Sequence, residues 1–176
     1  LASNGVYKTT NGGTSWSAVN TGITTFTIYS LDVDPISPTT VYAAAGAGHV
    51  FKTTNGGTSW SDVPLGFATT VTSVEVDPNV SGTVYVGTDD DGVFKSTTGG
   101  AAWSAVNSGL ANPIVNEVLV DPADSNHVWA ATLDGIFVTT NGASVWAPAN
   151  ANFFAELSNS LARSPSDPDV LLLDEP

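Results

Sequence analysis

The chain repeats itself. Trp16, Trp60, Trp103 and Trp146 are separated by 44, 43 and 43 residues, and Asp34-Pro35, Asp77-Pro78, Asp121-Pro122 and Ser164-Pro165 by 43, 44 and 43. Two independent markers thus keep one period. A period of this size means a stacked architecture, because a single unit cannot bury its apolar face alone and must pack against its neighbours. Lys8, Lys52, Lys95 and Val138 fall in the same register, so three of the four basic residues belong to the repeat and owe little to local chemistry.

Each period reads as four short strands, A to D. Strand A alternates, with Val74 and Val76 on one face and matching pairs at Leu31 with Val33 and at Val118 with Val120. The Asp-Pro ends it, since proline lacks the N–H a ladder needs and restricts the residue before it. Strand B follows at 40–44, 83–87 and 127–131. Asn4-Gly5, Asp91-Gly92 and Asp134-Gly135 then predict tight type I′ hairpins leading into strand C. A second turn, rich in Thr, Asn and Gly, leads through the Trp to strand D. Four antiparallel strands in about 43 residues is the unit size of a propeller blade.

Composition agrees and excludes several roles. Gly, Thr, Ser, Asn and Val dominate a vocabulary poor in helix formers, so an all-β fold with almost no helix is expected. Four basic against 17 acidic residues give a net charge of −13, which repels nucleic acid. Cysteine is absent, removing disulfides and thiolate metal sites. No run approaches the roughly 18 apolar residues of a membrane-spanning helix.

The second turn is the most specific element. Lys8 to Trp16 reads K-T-T-N-G-G-T-S-W, and Lys52 to Trp60 repeats it letter for letter. This resembles the Asp-box, or BNR repeat, of sialidases, sortilin-type receptors, xyloglucan-active glycosidases and a photosystem II assembly factor. The resemblance covers the chain in four registers and implies a β-propeller whose boxes lie at blade corners away from the ligand site. The box residues are Thr9, Asn11, Gly13 and Trp16; Thr53, Asn55, Gly57 and Trp60; Trp103; and Asn141 with Trp146. Asn11 and Asn55 stand where the family favours Asp, Thr98 replaces the residue in the third copy, and Ala143 replaces a glycine in the fourth. These are read as fold elements.

The expected organisation is a single propeller or propeller segment over residues 1–176. It has a half-blade of strands C and D at 1–20, blades at 24–63, 67–106 and 113–149, and a half-blade of strands A and B at 156–173. Aligning Val170 with Val84 makes the two ends complementary half-blades that together form one sheet and remove two unpaired edges. Closure within the chain as a four-bladed ring, closure with another chain, and an excerpt of a longer propeller all remain open.

Chemistry is sparse. A sialidase needs an arginine cluster for the substrate carboxylate, and the chain has only Arg163, at an inward strand position. A xyloglucanase-like enzyme needs two facing carboxylates. Asp34, Asp77 and Asp121 recur at a turn and read as caps, while Asp32 and Glu75 read as a solvated face. Asp89, Asp90 and Asp91 form a weak calcium candidate, although Asp91-Gly92 already serves as a turn. His49 and His127 occupy different repeat phases and read as surface residues, and one sequon stands at Asn79-Val80-Ser81. No catalytic residue, metal or cofactor is assigned.

The connections from strand D to strand A do not repeat, and in a propeller they gather at one end of the ring. Phe26, Phe67, Phe153 and Phe154 lie on them and are the candidate binding residues, or else pack between blades. The reading is a non-catalytic interaction or structural scaffold, extracellular or cell-surface. It has a protein or glycan partner, or self-assembly through the half-blade edges, and no nucleic acid partner. The alternative is a fragment of an Asp-box glycoside hydrolase with its catalytic carboxylates on other blades. An assembly factor of the photosynthetic type calls for a basic patch that three scattered lysines do not provide.

Overall fold

A computed structural model describes residues 4–149, 160–164 and 171–174. Within them every regular element is a strand. Three four-stranded antiparallel sheets follow one another: β3 (Ile28–Val33) to β6 (Ser61–Asp62), β7 (Val71–Val76) to β10 (Ser104–Ala105), and β11 (Val115–Asp121) to β14 (Ala147–Pro148). Two two-stranded sheets flank them, β1 (Tyr7–Lys8) with β2 (Ser17–Ala18), and β15 (Ser160–Arg163) with β16 (Leu171–Asp174). The remaining strands, in order, are β4 (Val41–Ala45), β5 (Val50–Thr53), β8 (Val84–Thr88), β9 (Val93–Ser96), β12 (Asp124–Thr132) and β13 (Gly135–Thr139).

Each sheet is a meander in chain order, as short connections between consecutive strands require. Its first strand is an edge strand and packs on the first strand of the next sheet, so β3, β7, β11 and β15 form a row. The second strand lies sandwiched between sheets. That is why all five residues of β8, Val-Tyr-Val-Gly-Thr, are buried and why it reads as a continuous apolar run. Val71, Val74 and Val76 of β7 pack against Tyr42, Ala44 and Val50 of the preceding sheet. Val115, Val118 and Val120 of β11 meet Tyr85 and Val93 in the same way. The core is thus a series of inter-sheet layers, which is the stacking the period demanded.

Two details differ from the sequence reading. The turns at Asp91-Gly92 and Asp134-Gly135 are not type I′, because only the glycine takes positive φ, at 82° and 96°. Thr88 N instead bonds Gly92 O at 3.0 Å across an intervening Asp89–Asp91 loop. In the second repeat the positive φ moves upstream to Ala47 (58°) and Gly48 (76°), which frees position 49 to be a histidine. The pairing of the two strands is antiparallel in every case, as expected. The second difference is register. Arg163 pairs with Leu171 as Val76 pairs with Val84, so Leu171, not Val170, takes the place of Val84.

Candidate functional site

The turn corners hold themselves together. Thr9 Oγ1 donates to Asn11 Oδ1 at 2.9 Å and accepts from Gly13 N at 3.0 Å, while Asn11 Oδ1 also accepts from Ser15 N at 3.0 Å. Thr53, Asn55, Gly57 and Ser59 repeat this set, and Thr139 and Asn141 do the same with Ala143 N and Val145 N. In the third copy Thr98 Oγ1 accepts from Ala102 N at 3.0 Å, so a hydroxyl replaces the missing amide oxygen. Each corner is also stapled to its neighbours. Lys8, Lys52 and Lys95 donate to the carbonyls of Gly56, Gly99 and Gly142 in the next corner at 2.8, 2.9 and 3.1 Å. Trp60, Trp103 and Trp146 donate their indole N–H backwards, to Val19, Val63 and Val106 O at 2.7, 3.0 and 2.6 Å.

The row of inner strands bears the carboxylates. Asp34, Asp77 and Asp121 are buried and cap their own turns, with Oδ1 accepting from Ile36 and Ser37, from Asn79 and Val80, and from Ala123. Asp34 and Asp77 also accept the hydroxyls of Ser81 and Ser125 from the next sheet, at 2.6 and 2.8 Å. Asp32 and Glu75 are not a solvated face. Each turns to the adjacent edge strand, Asp32 Oδ2 accepting from Val76 N at 2.7 Å and Glu75 Oε1 from Val120 N at 3.3 Å. Glu117 accepts from Leu161 N in the same sense. The physical cause is the exposed edge, whose inward N–H groups have no ladder partner and draw an acceptor from the preceding sheet.

Asp32 and Glu75 line a cavity of about 360 Å³ with Leu119 and the three prolines Pro35, Pro78 and Pro122. Burial pushes Asp32 above its usual range against the pull of the Val76 and Val33 amides. Burial, then the Asp32 charge, pushes Glu75 up to about 8.

The opposite end of the sheets gathers the non-repeating connections. Gly5, Gly48 and Gly92 donate their backbone N–H to Phe26, Thr69 and Pro113 O, tying each turn to the connection that follows it. Phe26 is exposed there, and Phe67 lies partly exposed with its ring 5.1 Å from that of Phe94. Phe153 and Phe154 fall outside the described residues. A shallow cleft of about 440 Å³ runs between Thr69, Thr70 and the Asp89–Asp91 loop. Burial alone would raise Asp89, but hydrogen bonds from Thr70 and Thr69 outweigh it and hold the carboxyl below its ordinary value. Among the described residues no three His, Cys, Asp or Glu side chains converge to hold a metal.

The two histidines stay within their own sheets. His49 Nδ1 meets Asp62 Oδ2 at 2.6 Å and stacks on Phe51, while His127 lies 3.6 Å from Asp121 and against Trp129. Asn79 of the sequon spends its amide on Pro122 O at 3.1 Å. Arg163 stands in β15, and its side chain lies outside the described residues. The blade-to-blade partners of Asp32, Glu75, Ser81 and Ser125 were invisible to the repeat pattern, because each bonds into the neighbouring repeat and the residue types change from copy to copy.

No known family profile and no curated protein matches this chain. Solved structures do. An ancestral GH74 enzyme superposes with a TM-score of 0.79 at 24% identity, over 97% of this chain and 24% of that one. The GH74 xyloglucanase from Xanthomonas campestris gives 0.76 at 18% identity, over 90% and 29%. The fold is a β-propeller. YCF48 bound to a D1 peptide gives 0.64 at 19% identity, over 80% and 46%. This chain therefore spans only about a quarter of the GH74 chains and about half of YCF48. No helix among the described residues is long and apolar enough to cross a membrane.

Proposed function

We propose that this chain is an Asp-box propeller segment serving as a non-catalytic interaction scaffold of a secreted or cell-surface protein. One observation supports this above others. Three lysines are spent on turn carbonyls of the next blade, and Asp32, Glu75 and Glu117 on its edge amides. What remains for recognition is the end bearing Phe26 and Phe67, where exposed aromatic rings sit on connections held by a rigid scaffold. Protein and glycan ligands both suit aromatic anchors. The Thr-, Ser- and Asn-rich acidic composition without cysteine supports an extracellular setting.

The experiment is a panel of peptides and of xyloglucan-derived and other oligosaccharides, presented to the chain and to its Phe26→Ala/Phe67→Ala variant. Binding that the double substitution abolishes supports the scaffold reading. Release of reducing ends from xyloglucan by the chain itself overturns it. The second reading, a segment of a xyloglucanase-like hydrolase with its carboxylate pair on other blades, draws on the likeness to the GH74 enzymes. It predicts oligosaccharide binding by this segment and hydrolysis only by a longer protein.

A further inference from the structure

Four positions that are sealed in the complete blades lie open at the two flanks of the chain. Leu31 and Val33 of β3 are 49% and 46% exposed, whereas their counterparts Val74 and Val76 are 4% and 2%, and Val118 and Val120 are 2% and 1%. In the complete blades those valines are covered by a large residue of the preceding second strand, Tyr42 or Tyr85. In β16 the residue of that register is Leu172, because Ala162 pairs with Leu172 as Glu75 pairs with Tyr85. Leu172 is 66% exposed. The open apolar residue on one flank is thus the cover that the open apolar residues on the other flank lack.

The backbone agrees. Strand β1 has β2 on one side and an unpaired edge on the other, and β16 has β15 on one side and an unpaired edge on the other. In the complete blades these are the two edges that meet, Tyr42 opposite Lys52 and Tyr85 opposite Lys95. The equivalent meeting is Leu172 opposite Lys8. A groove of about 310 Å³ beside β1, floored by Val6, Ile28 and Leu31, runs where the absent second strand would lie. Trp16 completes the set. Its indole is 60% exposed against 6% for Trp60 and 2% for Trp146. The acceptors of the buried indoles are carbonyls of Val19, Val63 and Val106, each of whose N–H bonds back to the third strand; Ala149 has that same bond, to Ile136 O at 2.8 Å.

We propose that a second copy of this chain occupies this flank. Its β15–β16 joins β1–β2 into one four-stranded blade, and its Ala149 carbonyl receives the indole of Trp16. The flanks are different surfaces of one chain, so the contact is head to tail, and two copies joined at both seams pair the open edges of β1 and β16 in each copy. Among the described residues β1 and β16 belong to separate sheets. The proposal rests on the propeller fold and is independent of any ligand at the Phe26 end.

The chain has no cysteine, so a directed cross-link is clean. Chains bearing Lys8→Cys are mixed with mass-tagged chains bearing Leu172→Cys and oxidised. Directly opposed residues of an antiparallel pair have Cα atoms about 4.5–5.5 Å apart, within disulfide reach. The expected product is the mixed covalent dimer in excess over either homodimer. Light scattering of the unsubstituted chain gives at least twice the chain mass, falling to the single-chain mass for Leu172→Asp. Three results overturn the proposal: a single-chain mass at every concentration for the unsubstituted protein, homodimers alone on oxidation, or a Lys8→Cys/Leu172→Cys chain that closes only on itself.

Discussion

The indole N–H of Trp60 donates to the carbonyl of Val19 at 2.7 Å, reaching 41 residues back in sequence and one blade back in space. The contact converts a local turn motif into a lock between repeats. The same tryptophan that ends one corner seals the seam with the blade before it, so corner and seam form together.

Substituting Trp60→Phe keeps most of the apolar body and removes the donor, leaving Val19 O without its indole. A cost of about 1–3 kcal/mol is expected. Trp16→Phe, where the indole is exposed, is expected to cost within about 0.5 kcal/mol in dilute, single-chain conditions. Urea midpoints for the two variants check this, and equal losses would contradict the seam role.

The corners offer a separate test of strain against crowding. Gly12 and Gly100 both hold positive φ, 66° and 90°, but a Cβ at Gly12 meets nothing within 4 Å, while one at Gly100 would lie 2.8 Å from Val63 Cγ2. Gly12→Ala should cost about 1–2 kcal/mol, the backbone penalty alone. Gly100→Ala should add overpacking of about 1–3 kcal/mol. Thermal denaturation of both variants measures the difference, and a Gly12→Ala loss as large as that at Gly100 would remove crowding as the cause.

Much of this architecture was legible in the sequence because the period forces it. The spacing of Trp16, Trp60, Trp103 and Trp146 places one indole per blade, and the alternation of Val74 and Val76 marks a buried strand face. The roles of Asp32 and Glu75 were not legible. Their partners are backbone amides of the next blade, which leave no trace in side-chain identity, and a carboxylate on a strand face ordinarily signals solvent. The B-to-C turns misled for a local reason. Asp91-Gly92 looks like a two-residue hairpin, yet Thr88 Oγ1 donates to Gly92 O at 2.8 Å and accepts from Asp91 N at 3.0 Å. That makes a longer loop in which aspartate keeps ordinary φ. The open flanks were foreshadowed by the phase of the repeats, but which residue covers which required the β15–β16 register.

Tyr85 carries a hydroxyl that is buried without a hydrogen-bond partner among the described residues, while Lys95 Nζ sits 4.9 Å over its ring. Burial raises the phenol above its usual range. Tyr85→Phe keeps the ring face for the lysine and removes a polar group whose burial costs about 1–3 kcal/mol. Stabilisation by about 1 kcal/mol is expected, a rise in Tm of roughly 2–4 °C for a chain of this size. A lowered Tm would show that the hydroxyl has a partner.

Glu75 makes the inner row of carboxyls a determinant of pH dependence. Its folded-state value is about 8 against 4.5 for an unperturbed glutamate, with burial the largest cause and the Asp32 charge the next. Between those values the folded chain holds a proton that the unfolded chain has released. Unfolding then sheds a proton, and stability falls as pH rises from about 4.5 to about 8. Asp32, also raised, acts in the same direction. Glu75→Gln retains an oxygen for the Val120 amide and cannot ionise. Stability curves of the two proteins should nearly coincide at pH 4 and separate steadily above it, the variant being the more stable at pH 9. Urea unfolding at intervals of one pH unit reads the difference directly, and parallel curves across the range would mean that Glu75 ionises in the folded chain as freely as in water.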